Sequence, residues 1–199
     1  MKLLGLTGGI ASGKSSVARM FSKLGARIVD LDKLARRVTK PGARAYDEIF
    51  EHFGDTILDA RGCINREKLG SLVFSDKKAR KKLEEITHPK IGEELIKEIQ
   101  NLRKTGERCV LVEAPLLIEA GMHHWLKPFI VVTASRENQI SRLRKRNGLT
   151  RKQALKRISS QMPLEEKAKL ADYTIDNSGT LKETRHQVRA IWEKFQEKS

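Results

Sequence analysis

The stretch Gly8-Gly9-Ile10-Ala11-Ser12-Gly13-Lys14-Ser15 constrains this chain more than any other, because it matches the phosphate-binding pattern G-x-x-x-x-G-K-[ST] at every fixed position. Apolar Leu3, Leu4 and Leu6 precede it as a short buried strand. Val17, Met20, Phe21 and Leu24 follow at i, i+3, i+4 and i+7, the spacing of a helix with one apolar face, and Gly25 falls where that helix ends. Strand, glycine loop and helix in this order aim successive backbone N–H groups and the positive end of a helix dipole at one point, which suits a polyphosphate. In that arrangement Lys14 lies along the β- and γ-phosphates and the Ser15 hydroxyl ligates Mg²⁺, while the glycines let the backbone approach. The stretch reads as a nucleoside triphosphate site.

What can be built around that loop is bounded by size and charge. A chain of 199 residues suits one compact α/β domain with an insertion better than two full domains. Lys plus Arg number 40 against 25 Asp plus Glu, a formal charge of +15, so the partner is anionic: nucleic acid, a membrane surface or a highly phosphorylated small molecule. Aromatic residues make up only 5% and few interleave with the basic runs, which argues against stacking on bases and hence against a nucleic-acid partner. No run of ~18 apolar residues occurs, so a soluble chain with no membrane partner is expected. Cys63 and Cys109 form no C-x-x-C pair and suggest neither a disulfide framework nor a zinc site, which fits a reducing, cytoplasmic setting.

Along the chain, Arg27 to Asp32 reads as the next strand, with β-branched residues running into two acids, Asp30 and Asp32, at alternate positions. In an open parallel sheet, ligands bind beyond the carboxyl ends of the strands, so an acid here can orient or deprotonate a hydroxyl nucleophile. The competing reading makes Asp32 only the cap of a helix beginning at Lys33. From Thr39 to Gly106 short helices replace strands, as in an inserted helical subdomain. Ser75 reads as the cap of a basic helix, and Pro89 suits the first turn of a further helix started by Thr87-His88-Pro89. Cys109 to Val112 and Phe129 to Val132 are continuous apolar runs expected of strands buried on both faces. The first delivers Glu113 to the carboxyl-end crevice, where it can assist Mg²⁺, and Pro115 to Glu119 turns into a helical segment. Arg142 and Arg146 share one helix face, and Thr150-x-x-Gln153 opens the next helix with a capping box. A basic hairpin hinged at Asn147-Gly148 is what a lid closing over phosphates requires. Tyr173 to Asn177 supplies a fifth strand before a final amphipathic helix.

Gly5 to Ser15, Asp30-Leu31-Asp32, Thr87-His88-Pro89, Pro115-Leu116-Leu117-Ile118-Glu119, the Arg142 to Arg146 region, Gln161 and Ala171 to Asn177 together span nearly the full chain. In order and spacing they resemble the dephospho-coenzyme A kinase family. The resemblance implies an α/β P-loop fold similar to that of adenylate kinases, with a five-stranded parallel sheet flanked by helices. It implies a nucleotide-binding core of residues 1–38, 106–135 and 171–199, a helical coenzyme-binding insertion over 39–105, and a lid over 136–165. The implied reaction is ATP-dependent phosphorylation of the ribose 3′-hydroxyl of dephospho-coenzyme A, the final step of coenzyme A synthesis, with Mg²⁺ and with the chain acting as a monomer. Asp32, Lys14 and Arg142 are then the catalytic set. Gly8, Gly9, Ala11, Ser12, Gly13, Lys14, Ser15, Ser16 and Asn177 hold ATP, while Asp30, Asp32, His88, Pro89, Leu116 and Arg146 face the acceptor. Ser15 carries the metal, with Glu113 as a second group. Ala11 stands where the family often has glycine and fits without strain only at negative φ. Glu113 stands where a neutral residue is common, so its metal role rests on position alone.

Two other readings compete. A nucleoside or nucleotide kinase of the same fold would keep the loop and lid, and a basic nucleic-acid-binding protein would use the charge without needing Asp32. A GTPase is disfavoured because no N-K-x-D segment occurs. Charge that serves a small anion should give only weak binding to duplex DNA at about 0.15 M salt, without competition from ATP, in a filter-binding titration. Tight DNA binding abolished by ATP would instead favour the nucleic-acid reading.

Overall fold

The computed structural model describes residues 1–197. Two compact units divide the chain, Asp30–Leu102 and a second formed by Met1–Val29 together with the chain from Arg103 on.

The second unit is built on a sheet. Its strands are β1 (Lys2–Gly8), β2 (Arg27–Asp30), β3 (Cys109–Glu113), β4 (Phe129–Thr133) and β5 (Tyr173–Asp176), all parallel, in the order β2-β3-β1-β4-β5. The apolar runs form the central strands because both faces are covered: every residue of β3 is buried. Register sets the site directly, since Leu6 pairs with Glu113 and Gly8 with Val132, so the end of β1 and the end of β3 come out side by side.

Helix α1 (Lys14–Lys23) covers the sheet with α9 (Leu181–Glu197). Val17 and Phe21 meet Val188, Ile191 and Phe195 over Leu4, Leu6, Ile130 and Ile175. Lys2 Nζ donates to the Phe195 and Gln196 carbonyls at 2.7 Å each, satisfying acceptors in the last turn of α9. Burial pushes the Cys109 thiol up to about 11 although Lys2 opposes it, and both cysteines are free thiols. The Lys127–Pro128 bond before β4 is cis. Helices α6 (Arg136–Asn147), α7 (Arg151–Ser159) and α8 (Leu164–Leu170) complete this unit. The expected capping box at Thr150 and Gln153 is present, and Gly148 ends α6 in the left-handed region at φ 65°.

The first unit is helical. Its elements α2 (Leu31–Val38), α3 (Arg44–Phe53), α4 (Arg66–Ser75) and α5 (Lys77–Lys104) enclose a core of Val38, Ala45, Ile49, Ile57, Leu69 and Ile86. This unit starts at Asp30 and so takes in α2. Two local expectations are corrected. Pro89 does not open a helix but lies inside α5, a single helix of 28 residues. The apolar stripe of Leu83, Ile86 and Ile91 runs past the proline into the same core, and that packing overrides the loss of one backbone hydrogen bond. Ser75 caps nothing: its hydroxyl donates back to Ser71 and Leu72, and Asp76 Oδ1 instead accepts from the Lys78 and Ala79 amides. No helix among the described residues is long and apolar enough to cross a membrane.

Candidate active site

Between β1 and α1 the chain folds into a loop whose N–H groups can face an anion only if its carbonyls turn the other way and find partners. Those partners come from the far end of the sequence. Gln139 Nε2 of α6 donates to the Ile10 carbonyl at 2.7 Å, and the Ile10 amide donates to Gln161 Oε1 at 2.7 Å. Arg142 Nη1 donates to the Ala11 and Ser12 carbonyls at 3.2 and 3.0 Å, and Nη2 to the Asn177 carbonyl at 2.8 Å. Asn177, buried at the end of β5, donates its own Nδ2 to the Ser12 carbonyl at 2.7 Å and accepts from the buried Thr184 hydroxyl at 3.1 Å. Three successive carbonyls are therefore held outward by side chains that lie more than a hundred residues away in sequence.

Two backbone conformations complete the loop. Gly13 precedes α1 at φ 94°, a region costly for any side chain, and a Cβ there would collide with the Asn177 amide nitrogen. Ala11 stands at φ 57°, so the condition under which alanine would fit without strain is not met. The left-handed region costs an alanine roughly 1–2 kcal/mol. Its carbonyl contact to Arg142 and its packing with Ile10, Ile140, Leu143 and Ala154 oppose that cost.

Beyond the loop, Lys14 Nζ meets Glu113 Oε1 at 2.6 Å, and the Ser15 hydroxyl donates to the same oxygen at 2.9 Å. Both charged side chains are nearly buried, at 14% and 9% exposure, so each needs the other while no phosphate is at hand. A hydroxyl and a carboxylate offer the hard oxygen donors that Mg²⁺ prefers. Among the described residues, no group of three or more His, Cys, Asp or Glu side chains could hold a metal ion. Along the length of α1 and against α9, a groove of about 320 Å³ is lined by residues that include Ser16, Arg19, Lys23, Leu181, Arg185 and Arg189.

The structure thus gathers Gly8 to Ser15, Glu113, Arg142 and Asn177 around one loop. Arg146 lies exposed in the last turn of α6, where its Nε donates to Asn147 Oδ1 at 3.0 Å. Leu116 is exposed just after β3, in a turn where Ala120 donates to its carbonyl. In the helical unit, Asp30 is the N-cap of α2, its Oδ1 accepting from Asp32 N at 2.9 Å and Lys33 N at 3.2 Å. The cap reading for Asp32 therefore fails, and Asp32 stands exposed in the first turn of α2 rather than at the end of a strand. Burial holds the Arg66 guanidinium below its usual range, Arg36 pushes the same way, and the Asp32 carboxylate opposes both. His88 and Pro89 are exposed on α5. Sequence reading missed Gln139 and gave Gln161 only through family resemblance, because a glutamine that bonds a loop backbone carries no periodic or motif signal.

A parallel sheet with a Gly-Lys-Ser loop feeding the helix after its central strand β1 defines a P-loop kinase fold. A fold of this kind is shared with shikimate kinase from Bacteroides thetaiotaomicron, at TM-score 0.50 and 15% identity over 97% of each chain. The dephospho-CoA kinase family profile matches residues 2–183. Among curated proteins, dephospho-CoA kinase from Carboxydothermus hydrogenoformans is 45% identical over 98% of this chain and 95% of its own length. The enzyme from Geobacillus kaustophilus is 45% identical over 94% of each. Among solved structures, one from Thermus thermophilus gives TM-score 0.85 at 34% identity over 97% of each chain, and dephospho-CoA kinase from Campylobacter jejuni gives 0.71 at 32% over 98% of each. The chain belongs to the dephospho-CoA kinase family.

Substitution Gly13→Ala combines a positive φ with a collision against Asn177, so it should cost about 1–3 kcal/mol of stability and abolish measurable ATP binding. Thermal melts and calorimetric titration check this; a variant binding ATP like the parent would show that the loop tolerates a side chain there.

Proposed function

We propose that this chain transfers the γ-phosphoryl group of ATP to the ribose 3′-hydroxyl of dephospho-CoA, giving CoA and ADP, the final step of coenzyme A synthesis. The observation that carries the reading is the Lys14, Ser15 and Glu113 cluster at the mouth of the glycine loop, in a chain that matches the dephospho-CoA kinase profile over residues 2–183.

Phosphoryl transfer is mostly positioning and charge neutralisation around a loose transition state, so no covalent intermediate is required. The inward amides of the loop receive the β- and γ-phosphates, and Lys14 leaves Glu113 to lie along them. Ser15, with Glu113 beside it, would hold Mg²⁺, which supplies neutralisation of the phosphate charge. The nucleoside end of ATP takes the basic groove beside Ser16. Arg142 acts through its hold on the Ala11, Ser12 and Asn177 carbonyls, keeping the loop shaped for the transferring group. Asp32, in the first turn of α2, orients the 3′-hydroxyl and accepts its proton by family resemblance. His88, Pro89, Leu116 and Arg146 complete the acceptor side by family resemblance. A cytoplasmic setting and a monomeric enzyme belong to the same proposal.

ADP release from Mg-ATP should be fast with dephospho-CoA and near background with adenosine or AMP as acceptor. Equal rates with all three would overturn the substrate assignment. Asp32→Asn keeps the size of the side chain but removes its charge and proton affinity, so single-turnover transfer should fall by roughly 10² to 10⁴ while ATP affinity changes little. A rate within about threefold of the parent in a folded variant means that Asp32 is not the base.

A further inference from the structure

Lys167 on α8 has no exposed side-chain surface, which is rare for lysine because an ammonium ion stripped of water is costly unless it is paired. Its neighbours in sequence give no warning, since Glu165, Glu166 and Lys169 belong to a charged run that reads as a solvated face. The partners of Lys167 explain the burial. Its Nζ lies 2.6 Å from Glu119 Oε1 and 3.5 Å from the Pro115 carbonyl, and that carbonyl also accepts from the buried Thr7 hydroxyl at 3.1 Å. Thr7 is the residue of β1 next to Gly8, where the glycine loop begins.

One ammonium group therefore holds both ends of the turn from Pro115 to Glu119. Leu117 and Ile118 inside the turn are buried, and Leu116, between Pro115 and Leu117, is 53% exposed. The turn begins two residues after Glu113, the partner of Lys14, so a shift of the turn moves the exposed Leu116 side chain on the segment that leaves β3. A buried pair that only stabilised the fold would have no reason to join these two ends, because an apolar pair of the same volume often does as well or better.

We propose that Lys167 is a positioning residue for the acceptor: by pinning Pro115 and Glu119 it fixes the turn that presents Leu116 to the apolar part of dephospho-CoA. This rests on the dephospho-CoA kinase reading. Lys167 touches neither substrate and acts only through the turn.

The test is Lys167→Met, which keeps the length of the side chain, alongside Lys167→Met/Glu119→Leu, which also removes the carboxylate left without its partner. The expected result is an acceptor KM raised about tenfold or more, with the KM for ATP and kcat within about twofold of the parent, because displacement of a remote support acts on the group it supports. Amide exchange of residues 116–122 should accelerate while that of residues 10–15 does not. If the single variant fails to fold, the double variant carries the same expectation. An acceptor KM equal to that of the parent, or a parallel rise in both KM values that follows the loss of melting temperature, would make Lys167 a structural residue only. A parent enzyme that fails to phosphorylate dephospho-CoA would overturn the functional reading itself, a different outcome from either.

Discussion

The carbonyls of Ile10, Ala11 and Ser12 in the glycine loop are each held by a side chain from far along the chain, and much of the sheet-based unit is arranged around those bonds. Turned inward they would repel an anion; turned outward and left bare they would be half-buried acceptors without donors, at up to about 1–3 kcal/mol each. Gln139, Arg142 and Asn177 supply the donors. Because these residues sit on α6 and at the end of β5, the shape of a loop near the start of the chain depends on elements that are made last. The strain at Ala11 and the requirement for glycine at position 13 are local expressions of the same constraint.

That constraint also changes what the arginine-rich helix is for. A basic hairpin hinged at Asn147-Gly148 suggests a lid that swings over the phosphates, and Gly148 does break the helix there. Yet α6 is fastened to the loop through Gln139 and Arg142, and Ile140 and Leu143 pack against Ile10 and Ala11. The root of the hairpin is thus part of the cradle. Arg142 holds the backbone of the glycine loop, whereas Arg146, one turn further on, stays exposed.

Legibility in the sequence followed the kind of signal each element carries. The glycine loop, the apolar runs of β3 and β4 and the Thr150 capping box were readable because short-range chemistry decides them. Asp30 and Asp32 were harder: both look like strand residues, and only the structure shows the helix starting at Leu31 with Asp30 as its cap. Pro89 misled because proline is a local signal overruled by a core stripe that continues past it. Positive φ at Ala11, and the roles of Gln139 and Lys167, depend on contacts between residues far apart in sequence, which no local pattern encodes.

Gln139→Met tests the central claim, because Gln139 donates to the Ile10 carbonyl and its replacement keeps nearly the same volume while removing that donor. Calorimetric titration of the folded variant should show ATP binding weakened about tenfold, the equivalent of leaving one half-buried acceptor without its donor, and dephospho-CoA binding unchanged. An ATP affinity equal to that of the parent would contradict the account, since the loop would then hold its shape without the side chain that bonds its Ile10 carbonyl.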